Sequence, residues 1–293
     1  MLKGKLLEFY DKNYLKLLII PIAILLASIG VILYHYSTTG NWIEQDISLK
    51  GGVAITITDS KGLTRAEAES LLQEYDVNVR ELTIAGVQKG LIIDSGADVN
   101  KANEIIYRVS SKIKLTEDEY TVESIGSSLG QSFFKETITA VIYAFIFMSI
   151  VVFICFRIPV PSLAVVLAAF SNMVFTWAVL ILLDVKLSAS GIAAFLMLIG
   201  YSIDTDILLT SRVLRRKTGT VLEAIMGAMK TGMTMIAASL IAVIVAYFFT
   251  SSLIIKQIML ILIIGLCIDM VNTWIQNAAI LRWYLERKEK KSH

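Results

Sequence analysis

The chain has 293 residues, 56% of them hydrophobic and 18% charged, with a formal net charge of +2 and a mean hydropathy of +0.69. Soluble domains carry apolar content nearer half and charge nearer a quarter, so this composition excludes an ordinary soluble globular protein. The near-neutral balance gives no basic footprint for nucleic acid, and 3 prolines with 17 glycines exclude collagen-like or low-complexity chain.

Residues 1–16 are short, basic (Lys3, Lys5, Lys12, Lys16) and partly amphipathic. An apolar run over 17–36 follows, about 20 residues and so long enough to cross a bilayer. It is longer than the apolar region of a cleavable signal and no small-x-small cleavage site follows, so it reads as a first membrane span. Pro21 lies near its start, where a kink or first-turn proline is tolerated.

Residues 37–132 form a polar stretch of domain size. Val53–Asp59 alternates with period two, as a half-buried strand does. Thr64–Tyr75 reads as a helix opened by Thr64 with Glu67 at capping-box spacing. Val79–Val87 and Leu91–Asp94 read as strands joined by a turn at Gln88-Lys89-Gly90. Asp98–Ile113 is a second helix with Ala102, Ile105, Ile106 and Val109 on one face, and Tyr120–Ile125 a last strand. The order β-α-β-β-α-β is that of a ferredoxin-like α+β unit. Gly51 and Gly52 read as a strand entry or tight turn rather than an anion site.

The remaining spans are expected at 133–156, 160–183, 188–211, 231–250 and 253–281, making six in all. Between the fourth and fifth, residues 212–230 hold a basic loop (Arg212, Arg215, Arg216, Lys217). An amphipathic helix follows, capped by Thr218 or Thr220, with Val221, Leu222, Ile225 and Met229 on one side and expected at the membrane interface. Residues 282–293 are a basic tail. Lys and Arg concentrate at the termini, near Arg157 and at 212–217, while the opposite short loops hold only Lys186 and Lys256. The positive-inside rule then places both termini in the cytoplasm and the 37–132 domain outside the plasma membrane. Cys155 and Cys267 lie in apolar runs and read as small buried hydrophobes, not a disulfide. His35 and His293 are isolated, so neither a metal nor another cofactor is expected.

The fourth span carries Asp204 and Asp206, with Ser202, Thr205 and Thr210 alongside. A charged residue at mid-membrane costs about 2.5–3.5 kcal/mol on insertion scales, so an anchor alone would not carry two. Residues two apart on a helix point about 200° from each other. Asp206 therefore shares a face with Ser202 and Thr210, and Asp204 with Gly200, Tyr201 and Ser211, a face open to a neighbouring helix. With Arg212 close by, simple hydration at the interface is the plain alternative to a proton or ion relay. In the sixth span Asp269, Asn272, Gln276 and Asn277 make a second polar stripe. Asp269 is expected at the depth of Asp204, where two carboxylates could share a proton. A helix-packing seam is the plain alternative there. An intramembrane aspartyl protease also needs two carboxylates, but its Tyr-Asp and Gly-x-Gly-Asp motifs do not occur around these aspartates, and no enzyme is expected.

The run Gly200-Tyr-Ser-Ile-Asp-Thr-Asp206, followed by Arg212, resembles the fourth-span signature of the SecF branch of the SecD/SecF protein-export family. Asp46-Ile-Ser-Leu-Lys-Gly-Gly52 is similar to that family's entry to its first outer domain. Six spans with one large loop after the first also match this branch of the resistance-nodulation-division (RND) superfamily, and the spelling is more like its archaeal members. The resemblance implies an auxiliary subunit of the Sec translocon that works with a SecD-type six-span partner on exported polypeptides, coupled to the proton gradient. Together with the residue pattern above, this makes Asp204, Asp206 and Asp269 the relay candidates, with Ser202, Thr205, Asn272 and Arg212 as supporting polar residues. The bacterial pattern places its acid at the position of Thr205, so which flanking aspartate inherits the role stays open. The other readings are an RND-type half-transporter of lipids or small hydrophobic molecules and a passive translocon scaffold.

Overall fold

The computed structural model describes residues 2–75, 77–84, 87–96, 99–216, 219–250 and 252–292. The chain enters through α1 (Leu2–Leu17) and α2 (Ile19–Thr39), which break at Leu18. Pro21 has no N–H to give the Leu17 carbonyl four residues back, so the ladder is interrupted there.

The domain that follows begins with α3 (Ile47–Lys50), capped by Asp46, whose carboxylate accepts from the Ile47 N–H at 2.7 Å. β1 (Gly52–Ile57), α4 (Arg65–Leu71), β2 (Val77–Ile84), β3 (Val87–Ser95), α5 (Val99–Lys112) and β4 (Tyr120–Ile125) complete it. The sheet order is β2-β3-β1-β4, every neighbouring pair antiparallel, as in a ferredoxin-like unit. One face of the sheet (Val53, Ile55, Ile57, Val79, Leu91, Ile93) packs on Ala68 of α4 and Leu72 at its C-terminal cap, and on Ala102, Ile105 and Val109 of α5. The expected capping box is present: the Thr64 N–H donates to Glu67 Oε2 at 3.0 Å and the Glu67 N–H to Thr64 Oγ1 at 3.4 Å.

The hairpin differs from the sequence expectation. β2 ends at Ile84, and Gln88, Lys89 and Gly90 lie within β3, which begins at Val87; Asp98, Thr218 and His293 lie outside the described residues. Gly90 is there for approach, not for turning: a Cβ on it would stand 2.0 Å from the Ile57 carbonyl oxygen of β1. Gly52 behaves as a strand entry should, with φ at +131° and Ser95 O at 2.4 Å from any added Cβ.

Among the described residues, six helices are long and apolar enough to cross a membrane. After the α1/α2 unit come α6 (Ser127–Phe156), α7 (Pro159–Leu182), α8 (Ala189–Leu214) and α9 (Val221–Phe249). The sixth runs as α10 (Leu253–Val271), a π-helical turn (Asn272–Asn277) and α11 (Ala278–Ser292). Arg157 closes α6 at φ +54° and Pro159 opens α7 at its first turn, a tight return that suits both residues. α7 and α8 are half buried, whereas α2 and α6 are nearly all surface. The bundle therefore has an α7/α8 core with the sixth helix packed on it.

Two further expectations are corrected. Residues 221–230 are not a separate interfacial helix: no breaker interrupts Met229-Lys230-Thr231, and α9 runs through unbroken. Thr220 caps it, and Val221 and Ile225 pack on Leu209, Val213, Ala278 and Leu281 rather than on lipid. Cys155 and Cys267 are exposed on outer helix faces. A bundle in lipid is apolar outside as well as inside, so an apolar run does not say which face is covered.

The domain rests on one end of the bundle through a short parallel bridge between Gln45 and Leu187. The Asp46 N–H donates to Leu187 O at 2.8 Å and the Leu187 N–H to Glu44 O at 2.7 Å. Beside it, Arg80 lies 2.7 Å from Asp94 and 3.4 Å from Asp46, with Lys186 at 3.9 Å from Asp94. A cavity of about 430 Å³ separates the open sheet face from the bundle here.

Candidate functional site

The polar residues of α8 divide by helix geometry. Ser202, Thr205 and Asp206 are buried against the sixth helix, and Thr210 is buried on the same side of α8. Asp204 and Tyr201 face outward, and among the described residues no side chain bonds to Asp204. The expectation that Asp204 meets Asp269 therefore fails on direction. Asp269 does lie at that depth, but it enters between Ser202 and Thr205, on the face that Asp204 points away from.

Asp269 is fully buried. Its Oδ1 accepts from Ser202 Oγ at 2.5 Å and from Asn172 Nδ2 of α7 at 3.4 Å, and its Oδ2 from Thr205 Oγ1 at 2.8 Å. One turn further along α8, Asp206 is equally buried. Its Oδ1 accepts from Thr273 Oγ1 at 3.0 Å and from Asn277 Nδ2 at 2.8 Å, while Oδ2 has no protein donor. Thr205 and Thr273 stand 3.5 Å apart. The order Asp269–Thr205–Thr273–Asp206 is thus a continuous line of oxygen atoms inside the bundle. Among the described residues no Lys or Arg is bonded to either carboxylate.

The π-helical turn makes this line possible. Asp269, Thr273 and Asn277 are four apart, and in a regular α-helix each four-residue step drifts about 40° past a full turn. The wider turn at Asn272–Asn277 winds that drift back, keeping Thr273 and Asn277 toward α8. Gln276 points instead to α7, donating to Ser171 Oγ at 3.1 Å. Asn272 is buried with neither amide atom partnered by protein. Arg212 lies outside the cluster and donates to the Gly227 carbonyl of α9.

Of the residues read from sequence, the structure therefore brings together Asp206, Asp269, Ser202 and Thr205. It leaves Asp204 and Arg212 outside. Thr273 was not legible as a member, because a lone threonine in an apolar helix carries no signal until the local helical period is known. Asn277 was legible as one of the sixth span's polar residues, whereas Asn172 of α7 joins the site as a single polar residue in an apolar span. Among the described residues, no group of three or more His, Cys, Asp or Glu comes together that could hold a metal ion.

Residues 106–287 match the family described as "Protein export membrane protein SecD/SecF, C-terminal". Similar whole chains include the protein-export membrane protein SecF of Pyrococcus furiosus, 37% identical over 99% of this chain and 98% of that one. The SecF of Methanothermobacter thermautotrophicus is 38% identical over 94% of each, and that of Methanocaldococcus jannaschii 36% identical over 96% and 99%. The fold superposes on the crystal structure of SecDF, a translocon-associated membrane protein from Thermus thermophilus, with a TM-score of 0.77 and 16% identity. That match covers 94% of this chain and 38% of the longer one.

Proposed function

This chain belongs to the SecD/SecF family of protein-export membrane proteins, and from that premise we propose that it is an auxiliary subunit of the Sec export machinery, coupled to the proton gradient through Asp206 and Asp269. The observation that carries the coupling is the buried line Asp269–Thr205–Thr273–Asp206. Two carboxylates in a low-dielectric interior without a cationic side chain call for a mobile positive charge. Hydroxyls that both donate and accept suit a proton better than a fixed pair. Hydration at the interface does not describe these two groups, since both are buried.

The basic residues near both termini and at 212–217 support a cytoplasmic location for both ends, which puts the ferredoxin-like domain outside the plasma membrane. A SecD-type partner with its own six spans completes the assembly beside the translocon. The membership of the family and the likeness to a SecDF chain much longer than this one both favour it. A single ferredoxin-like unit is small for a cleft that selects small hydrophobic substrates, which counts against a lipid half-transporter.

The test replaces Asp206 or Asp269 by Asn and follows export alongside the amount of complex recovered with the SecD-type partner. Impaired export at unchanged assembly is expected from both, and normal export from Asp204→Asn. Normal export from all three leaves only a membrane-embedded brace.

A further inference from the structure

The π-helical turn that carries Thr273 and Asn277 is contacted from outside the two-carboxylate line by the N-terminal helix. Tyr10 of α1 donates its hydroxyl to the Trp274 carbonyl oxygen at 3.1 Å, in the middle of that turn. Trp274 lies between the two Asp206 donors, and its ring is packed so closely on α9 that a Cβ on Gly232 would stand 2.3 Å from it. α1 is itself fastened to the same helix one turn beyond. Arg282, almost fully buried, donates to Asp11 Oδ1 at 2.5 Å and to Glu286 Oε1 at 2.7 Å. Its guanidinium stacks over the Tyr14 ring at 4.2 Å, and the Tyr14 hydroxyl donates to Glu286 Oε2 at 2.7 Å. Asp11 and Tyr14 of α1 thus hold α11, while Tyr10 reaches into the wide turn.

We infer that Tyr10 is a positioning residue for the intramembrane line: its hydrogen bond to Trp274 holds the π turn in the register that aims Thr273 and Asn277 at Asp206. Wide helical turns are strained relative to the α-helix and persist where surrounding groups hold them. Here the ring packing against Gly232 limits the turn on one side and the Tyr10 hydroxyl on another. Release of that hydroxyl lets the segment rewind toward a regular helix, which rotates Asn277 off Asp206 first because it lies at the far end of the turn.

This inference rests on the proposed relay, and its test separates the two. The protein is reconstituted with its SecD-type partner, and infrared difference spectra are used to find the carboxyl or carboxylate band that Asp206→Asn removes. Tyr10→Phe keeps the ring and deletes only the hydroxyl. It is expected to shift that band and to lower export about fivefold, the equilibrium factor of one ordinary hydrogen bond, at unchanged protein level. Tyr14→Phe removes a hydroxyl from the same helix that bonds α11 rather than the turn, and is expected to move neither. If Asp206→Asn leaves export intact, the relay is wrong, and the band position in Tyr10→Phe still decides the positioning role. An unshifted band in Tyr10→Phe, or an equal shift in Tyr14→Phe, overturns the inference.

Discussion

Asp94 in the sheet domain and Asp206 in the helix bundle are both buried carboxylates, but their surroundings differ in kind. Asp94 lies at the joint between sheet and bundle with Arg80 at 2.7 Å and Lys186 at 3.9 Å. Burial pushes its carboxyl above the ordinary range near 3.8, and Arg80 offsets this only in part. Asp206 and its neighbour Asp269 have hydroxyl and amide donors and, among the described residues, no cationic partner. A carboxylate with fixed counter-charges is a structural joint, whereas one with only neutral, reversible donors is a place where a mobile cation can stop. The same residue type therefore serves attachment at one height of the molecule and, on our reading, transport at another.

The largest effect expected from breaking this contrast is at the bundle. Asp206→Asn or Asp269→Asn should reduce export to the level of membranes lacking the chain, measured in sealed vesicles. Thr273→Val removes a donor to a charged acceptor and should cost export roughly tenfold, the scale of one such hydrogen bond, while Thr273→Ser should retain most of it. Gly232→Ala forces a methyl into the Trp274 ring and should destabilise the bundle by about 1–3 kcal/mol, the range for overpacked cores, read from unfolding in detergent.

At the joint the expectation is a pH dependence with a defined sign. The folded form of Asp94 holds its proton to higher pH than the unfolded chain, so between the ordinary carboxylate value and the raised one the native state binds more protons. The Asp94 contribution to domain stability should then fall as pH rises upward from about 4, against the rise contributed by Glu67 and Glu119, whose carboxyls are held low. Hydrogen exchange of β1 and β3, corrected for intrinsic rates, should therefore show stability increasing more steeply with pH in Asp94→Asn than in the full chain. A shallower increase in Asp94→Asn would mean that pairing with Arg80 outweighs burial. The smallest effect belongs to the exposed Arg65–Glu69 pair on α4, where Arg65→Ala should change domain stability by no more than about 0.5 kcal/mol.

How much of this was legible beforehand depends on what each feature needs. The six long helices and the β-α-β-β-α-β order follow from length and periodicity, and Thr64 with Glu67 marks its helix start without any tertiary knowledge. Gly90 misled because a glycine that allows close approach of β1 has the same spelling as one that turns a chain. The 221–230 face misled because apolar residues directed at α8 and the sixth helix look the same as residues directed at lipid. For the site, the 200° separation of Asp204 and Asp206 correctly required that only one face the sixth helix, but could not choose which. That choice rests on how α8 is turned in the bundle, while the placing of Thr273 and Asn277 beside Asp206 rests on the π turn, a change of local period that no residue between Asn272 and Asn277 announces.

The most direct measurement is export in sealed vesicles with and without an uncoupler, comparing the unaltered chain with Asp206→Asn and Asp269→Asn. The account predicts that the uncoupler lowers export by the unaltered chain to the level of the variants and leaves the variants unchanged. Variants that export normally and remain as sensitive to the uncoupler as the unaltered chain would contradict it.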